Sequence, residues 1–136
     1  TARWNYSIAL TANSDFDEAF SVNDKALLAA PTSQFVLHAA GYTYAKAGRR
    51  KEAQAIIDTL LEMRKSEYVI SYFIASIYAA LGDKENVFKE LEKSYIAHDF
   101  YMRRLKVDPF WDSLHDDPRY KDLLKRIGLL AEKTTP

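Results

Sequence analysis

The sequence predicts an all-α fold built from stacked helical hairpins, and a repeat with helical spacing supports that prediction. Residues 44–48 (Tyr-Ala-Lys-Ala-Gly) recur as residues 78–82 (Tyr-Ala-Ala-Leu-Gly), 34 positions later. A polar turn follows each Gly, and each second helix then has a small residue, Ala53 and Val87. A fixed period of this length indicates one supersecondary unit stacked on itself. Apolar residues between the turns recur at intervals of three and four, which is typical of amphipathic helices and not of strands.

Capping residues and helix-breaking residues divide the sequence into six predicted helices. Residues 2–12 form the first helix, and the following Asn13-Ser14 ends it. Asp15, with Glu18 three residues later, is a helix-start signature for the second helix. The second helix ends before Pro31, and Thr32 or Ser33 can cap the third. The remaining predicted bounds are as follows: the third helix stops at Gly48, the fourth ends near Arg64, the fifth spans 69–81, and the sixth follows Gly82-Asp83 and includes Tyr95.

These positions together resemble the tetratricopeptide repeat, a helix-turn-helix module of 34 residues. The resemblance covers residues 1–101 as three repeats, at about 1–33, 34–67 and 68–101, and implies a right-handed α-solenoid. The matching positions are small residues in the first helix (Ser7, Gly41, Ala75), large ones three later (Leu10, Tyr44, Tyr78), turn residues (Ser14, Gly48, Gly82), small residues in the second helix (Ala19, Ala53, Val87; Ala26, Leu60, Ser94) and the closing Pro31. Leu10, Val87, Leu60 and Ser94 depart from the family's pattern.

Residues 102–130 are expected to form a short C-terminal helical cap, and residues 131–136 to fray. Asp108-Pro109 and Asp117-Pro118 each suit an N-cap followed by proline in the first turn. The segment resembles the closing segment found after tetratricopeptide repeats in large bacterial proteins. We expect its aromatic and leucine side chains to cover the open face of the third repeat, because solenoid ends need capping for solubility.

Composition excludes several function classes. Nineteen basic residues balance 19 acidic ones, so no net field favours nucleic acid or an anionic membrane. No cysteine is present, which excludes a disulfide framework, a cysteine zinc site and a thiol nucleophile. No apolar run is long enough for a membrane span, and no signal peptide is recognisable. We expect a soluble protein and favour the cytoplasm, although the sequence does not identify the compartment; because the chain does not begin with Met, it could be a fragment.

Catalysis is not expected. His38, His98 and His115 are far apart in sequence, and His115-Asp116-Asp117 has the wrong spacing for a metal site. No phosphate-binding glycine loop or nucleophile elbow is present. The basic runs 49–51 and 103–106 are interpreted as solvated turns. The sequence therefore predicts neither an enzyme nor a cofactor.

Binding is the function that the resemblance implies, because the first helix of each repeat in the family lines a concave groove. The candidate groove residues here are Trp4, Asn5, Ile8, Phe35, His38, Tyr42, Val69, Tyr72, Phe73 and Ser76. The family's clamp for a terminal carboxylate is missing, because its positions are occupied by Trp4, Ile8, Ala39, Val69 and Phe73. Trp4, Phe35 and Phe73 could each be ordinary packing residues. For His38, Tyr42 and Tyr72 we expect an exposed amphipathic surface that suits binding anchors.

The sequence thus favours a scaffold that binds a protein or peptide partner through an aromatic groove. Two alternatives stay open: a self-association module, and the C-terminal regulatory segment of a larger bacterial signalling protein. The N-terminal helix is expected to be an interface, because it carries Trp4, Tyr6, Ile8 and Leu10 with a single charge, Arg3. Either a preceding repeat or a second copy of the chain could cover its apolar side. A short helix with an uncovered apolar side depends on packing against a neighbour.

Overall fold

The computed structural model describes residues 3–128, and the side chains of residues 5–128. Every regular element in that range is helical, which confirms the all-α prediction. The bounds are α1 Arg3–Ala12, α2 Phe16–Ala29, α3 Gln34–Lys46, α4 Arg50–Met63, α5 Ser71–Leu81, α6 Lys84–Ile96, a first 3₁₀-helix Phe100–Arg104, a second 3₁₀-helix Pro109–Leu114, and α7 Pro118–Arg126. The tail expected to fray, 131–136, lies outside the described residues.

Caps and left-handed turns set the helix ends. The side chain of Asp83 accepts a hydrogen bond from the backbone N–H of Asn86 at 3.2 Å, and the Ser33 hydroxyl accepts one from Val36 at 3.4 Å. Asp15 occupies the N-cap position of α2 but makes no side-chain cap bond, so that part of the predicted capping signature is wrong. Gly82 ends α5 with φ +80°, a conformation that glycine adopts at little cost.

The α-helices pack as three hairpins, α1 with α2, α3 with α4, and α5 with α6, and the first helices also pack in a row, α1 on α3 and α3 on α5. Gly41 allows one of these close approaches, because a Cβ there would lie 2.6 Å from Ile77 Cδ1 and 2.9 Å from Ile56 Cγ2. A polar link joins the first two hairpins. The hydroxyls of Thr11 and Thr43 lie 2.7 Å apart, and the Asn23 amide donates to Thr43 at 3.0 Å.

The 34-residue spacing continues beyond the three predicted repeats. The helices α2, α4, α6 and α7 begin at positions 16, 50, 84 and 118, each 34 residues after the one before. Arg119 and Arg126 of α7 bond Glu85 and Glu92 of α6, at 3.1 and 2.7 Å, again 34 residues apart. Two 3₁₀-helices, and not an α-helix, precede α7. The C-terminal segment therefore keeps the register of the hairpins, which the sequence interpretation as a separate cap did not anticipate.

No helix within residues 3–128 is long and apolar enough to cross a membrane.

Candidate binding site

The segment of residues 99–114, named here the covering segment, lies over the row of first helices. The Phe110 ring packs edge-on against His38 and Tyr42, at centroid distances of 5.3 and 4.9 Å. Trp111 packs against Tyr72 at 5.1 Å, and the second 3₁₀-helix contacts α5. The chain thus places its own aromatic side chains on the surface that the sequence assigned to a partner.

The prediction of an exposed surface is therefore wrong for three residues. His38, Tyr42 and Tyr72 are 1%, 4% and 0% exposed. Val69 and Phe73 are buried as well. Ser76 is also buried and donates its hydroxyl to the Phe73 carbonyl. The physical reason is that the covering segment folds back along α3 and α5, whereas the sequence placed it at the end of the third repeat.

A buried polar network fixes the covering segment to α5. The Tyr72 hydroxyl donates to Asp108 Oδ2 at 2.6 Å and accepts from Trp111 Nε1–H at 3.0 Å. Arg104 Nε donates to Asp108 Oδ1 at 2.9 Å. Burial raises the pKa of the Tyr72 hydroxyl, and the hydrogen bond to Asp108 raises it further. Because Trp111 and Leu105 are fully buried, the covering segment belongs to the core and is not a loosely attached flap; the sequence interpretation of 103–106 as a wholly solvated turn is wrong at Leu105.

An open cavity of about 580 Å³ remains between α1 and the covering segment; it is named here the α1 cleft. One wall is α1 and the other is the covering segment, while α3 and α5 form the floor. The lining residues are Asn5, Ile8, Ala9, Ala12, His38, Tyr72, Phe73, Phe100, Tyr101, Arg104, Asp108, Pro109 and Phe110. Half of the predicted groove residues therefore meet at one place: Asn5, Ile8, His38, Tyr72 and Phe73.

The other predicted residues lie elsewhere or beyond description. Tyr42, Val69 and Ser76 do not line the α1 cleft. Phe35 is partly exposed beside it, with its ring 6.5 Å from that of Tyr101. The side chain of Trp4 lies outside the described side chains, although its backbone belongs to α1.

Sequence reasoning missed the second wall of the cleft, which Phe100, Tyr101, Arg104 and Pro109 supply. An available signal was the aromatic pair at 100–101 directly before two arginines, a composition that does not suit a simple solvated turn. Residues of α1 and of the covering segment lie on opposite walls of one cleft although they are far apart in the sequence, and local spacing does not encode such an arrangement.

The floor of the cleft is aromatic and uncharged. His38 stacks on Phe73 with centroids 4.3 Å apart and planes 3° apart. Burial lowers the pKa of His38 to about 3, so its imidazole is neutral at physiological pH. Phe100 on the rim is 63% exposed. Such a site can hold apolar groups of a partner without covalent chemistry.

Among residues 3–128 no cluster of three or more His, Asp or Glu side chains could hold a metal ion. The titratable groups of the cleft are engaged in the packing and hydrogen bonding described above.

The outer side of α1 is less apolar than predicted. Leu10 is buried and Ile8 is half-buried within the same chain. Tyr6 is 49% exposed, and its hydroxyl donates to Glu18 of α2 at 2.7 Å. The expectation that Leu10 has no neighbour in the chain to bury it is wrong, because α1 turns that side chain toward its own chain.

Comparison of the chain with protein-family models, curated proteins and solved structures gave no match.

Proposed function

We propose that this chain is a non-catalytic protein-binding module of the tetratricopeptide-repeat type, in which the hairpins form a right-handed α-solenoid. Three features support the proposal. The hairpins share a period of 34 residues, their first helices pack in a row, and small residues such as Gly41 lie where helices approach closely. Row-like stacking of hairpins in this manner creates extended binding surfaces.

The α1 cleft is the observation that carries the binding function. Its volume of about 580 Å³ lies within the range of about 300–1,000 Å³ that is usual for ligand pockets. Its apolar lining and exposed Phe100 suit a side chain of a partner peptide. The covering segment closes the rest of the predicted groove, so a partner enters between α1 and that segment.

A peptide-display selection tests this function. A random-peptide library is panned against the purified chain, and selected peptides are then measured by fluorescence anisotropy against two variants. Ala9→Trp fills the cleft from an exposed position of α1. Ala55→Trp adds the same side chain at an exposed position of α4, away from the cleft, and is the matched control.

We expect Ala9→Trp to weaken the selected peptides by about tenfold or more, since it occupies the volume they need. The control variant should bind them as the parent chain does. A library that yields no binders, or binders equally affected by both variants, would contradict a binding role for the α1 cleft.

A further inference from the structure

We infer that the partner segment combines an acidic residue with an aromatic one. It docks beside Phe100 at the rim of the α1 cleft, with its carboxylate at Arg104, which lines the cleft, and at Arg103, which lies just outside it. This inference rests on the proposed function and specifies the chemistry of the partner. It goes beyond the candidate groove, because both arginines belong to the covering segment.

The arginines of the covering segment are exposed, whereas the carboxylates next to them are buried. The side chain of Arg104 is 54% exposed, and Arg103 is exposed too. The neighbouring carboxylates point inward. Asp99 is buried and accepts from the Ser94 hydroxyl at 2.8 Å and from the Tyr101 N–H at 3.0 Å. Asp108 is buried between Tyr72 and Arg104, as described above. The exposed charges beside Phe100 are therefore those of the two arginines, of which Arg104 is also paired with Asp108, and this arrangement favours a carboxylate.

An aromatic surface lies directly beside these arginines. Phe100 is largely exposed, and the Arg103 guanidinium carbon lies 5.4 Å from its ring centroid. The Phe100 ring lies 5.7 Å from Tyr101, which in turn lies 6.5 Å from the partly exposed Phe35. Contiguous exposed aromatic side chains with a charged rim are a feature of protein-interaction sites. Aromatic groups of a partner can pack here while its carboxylate reaches an arginine.

The covering segment itself combines a carboxylate at Arg104 with an aromatic ring on the floor of the cleft. Asp108 is bound by Arg104, and the following Pro109 and Phe110 lie against the row of first helices, with the Phe110 ring on His38. Arg104 bonds Asp108 through Nε and Nη2, which leaves its Nη1 edge for a second carboxylate.

Three labelled synthetic peptides test the inference by fluorescence anisotropy. The first is Asp-Glu-Phe-Trp-Glu-Asp, the second replaces each acid by Lys, and the third replaces both aromatics by Ala. Each is titrated against the parent chain, against Arg103→Glu and Arg103→Lys, and against Lys25→Glu, which reverses an exposed charge on α2. Circular dichroism and thermal melting verify that every variant is folded.

We expect the acidic aromatic peptide to bind at least about tenfold more tightly than the other two. Arg103→Glu should weaken it by a similar factor, whereas Arg103→Lys and Lys25→Glu should leave it within about twofold. Added salt should weaken binding, since the charges are exposed.

Two outcomes would overturn the inference. If the lysine peptide binds as well as the acidic one, or if Arg103→Glu has no effect, the partner is not selected by charge at this wall. Library peptides that still lose affinity with Ala9→Trp would then leave the binding function of the cleft intact. Absence of binding by the acidic aromatic peptide also overturns the inference, and the library selection decides separately whether the cleft binds any peptide.

Discussion

The close approach at Gly41 gives a test of the packing between α3 and its neighbours. Gly41→Ala would place a Cβ 2.6 Å from Ile77 Cδ1 and 2.9 Å from Ile56 Cγ2, well inside the optimum of about 3.5–4.0 Å for carbon contacts. Replacing Gly by Ala inside a helix normally stabilises by about 0.8–1.0 kcal/mol. Overpacking costs about 1–3 kcal/mol. We therefore expect a net destabilisation of about 0–2 kcal/mol, and a greater loss for Gly41→Leu.

A double-mutant cycle separates the steric contribution from helix propensity. Ile77→Val removes the methyl group that the new Cβ meets first, and alone it should cost about 0.5–1.5 kcal/mol. In the Gly41→Ala background that cost should shrink by at least about 0.5 kcal/mol, because the deletion relieves the contact. Val87→Ala, which truncates a buried side chain of α6, is the control and should add independently. Urea unfolding followed by far-UV circular dichroism measures the parent chain, the three single variants and the two double variants with Gly41→Ala.

The reasoning fails if Gly41→Ala stabilises the protein by the whole helix-propensity gain and its effect adds to that of Ile77→Val. Such a result would mean that α3 and α5 do not approach closely at Gly41.

Two further predictions concern the covering segment and its floor. Burial holds the pKa of His38 at about 3, below the unfolded value of about 6.5, so only the unfolded chain takes up this proton between those pH values. The free energy of unfolding should fall by about 2 kcal/mol from pH 6.5 to pH 5. In urea unfolding, His38→Phe should remove most of this pH dependence. His115→Gln, at an exposed histidine, is the control and should retain it. Tyr72→Phe should cost about 1–3 kcal/mol, because Asp108 loses its buried donor. Tyr68→Phe, at a largely exposed tyrosine, should melt close to the parent temperature, and equal losses for the two would contradict the network.

The helices were predictable because their signals are local. The spacing of apolar residues around Ile57 and Leu91 and the glycines at 48 and 82 predict hairpins whose observed bounds lie within a few residues of expectation. Gly41 matches a small-residue position of the repeat, and its distances to Ile77 and Ile56 show that helices approach closely there. These features depend on one or two turns of helix and on a repeat that is visible in the sequence.

The covering of the groove was not predictable in the same way. Residues 100–114 lack helical spacing, and Pro109 begins a short 3₁₀-helix whose direction depends on long-range contacts. The aromatic rings of Tyr72 and Trp111 meet 39 residues apart, a pairing that neither periodicity nor composition specifies. For the same reason, buried and exposed aromatic residues on the first helices were not distinguishable by residue type.

The sequence carries two separate signals for α7, a helix start and the 34-residue spacing. Asp117-Pro118 was recognised as a helix start, and the helix begins there. Its position 34 residues after the start of α6, with Arg119 opposite Glu85, would have extended the repeat register into the C-terminal segment. The 34-residue period is therefore visible in the spacing of the helix starts as well as in the spacing of matching apolar residues.

Binding at the α1 cleft is tested most directly by mapping a selected peptide onto the isotope-labelled protein by NMR. Backbone amide shifts should change at Asn5, Ala9 and Ala12 of α1 and along Phe100–Arg104, with little change on the outer faces of α2 and α4. Shifts confined to those outer faces, with the two walls of the cleft unaffected, would contradict the proposal that a partner enters between α1 and the covering segment.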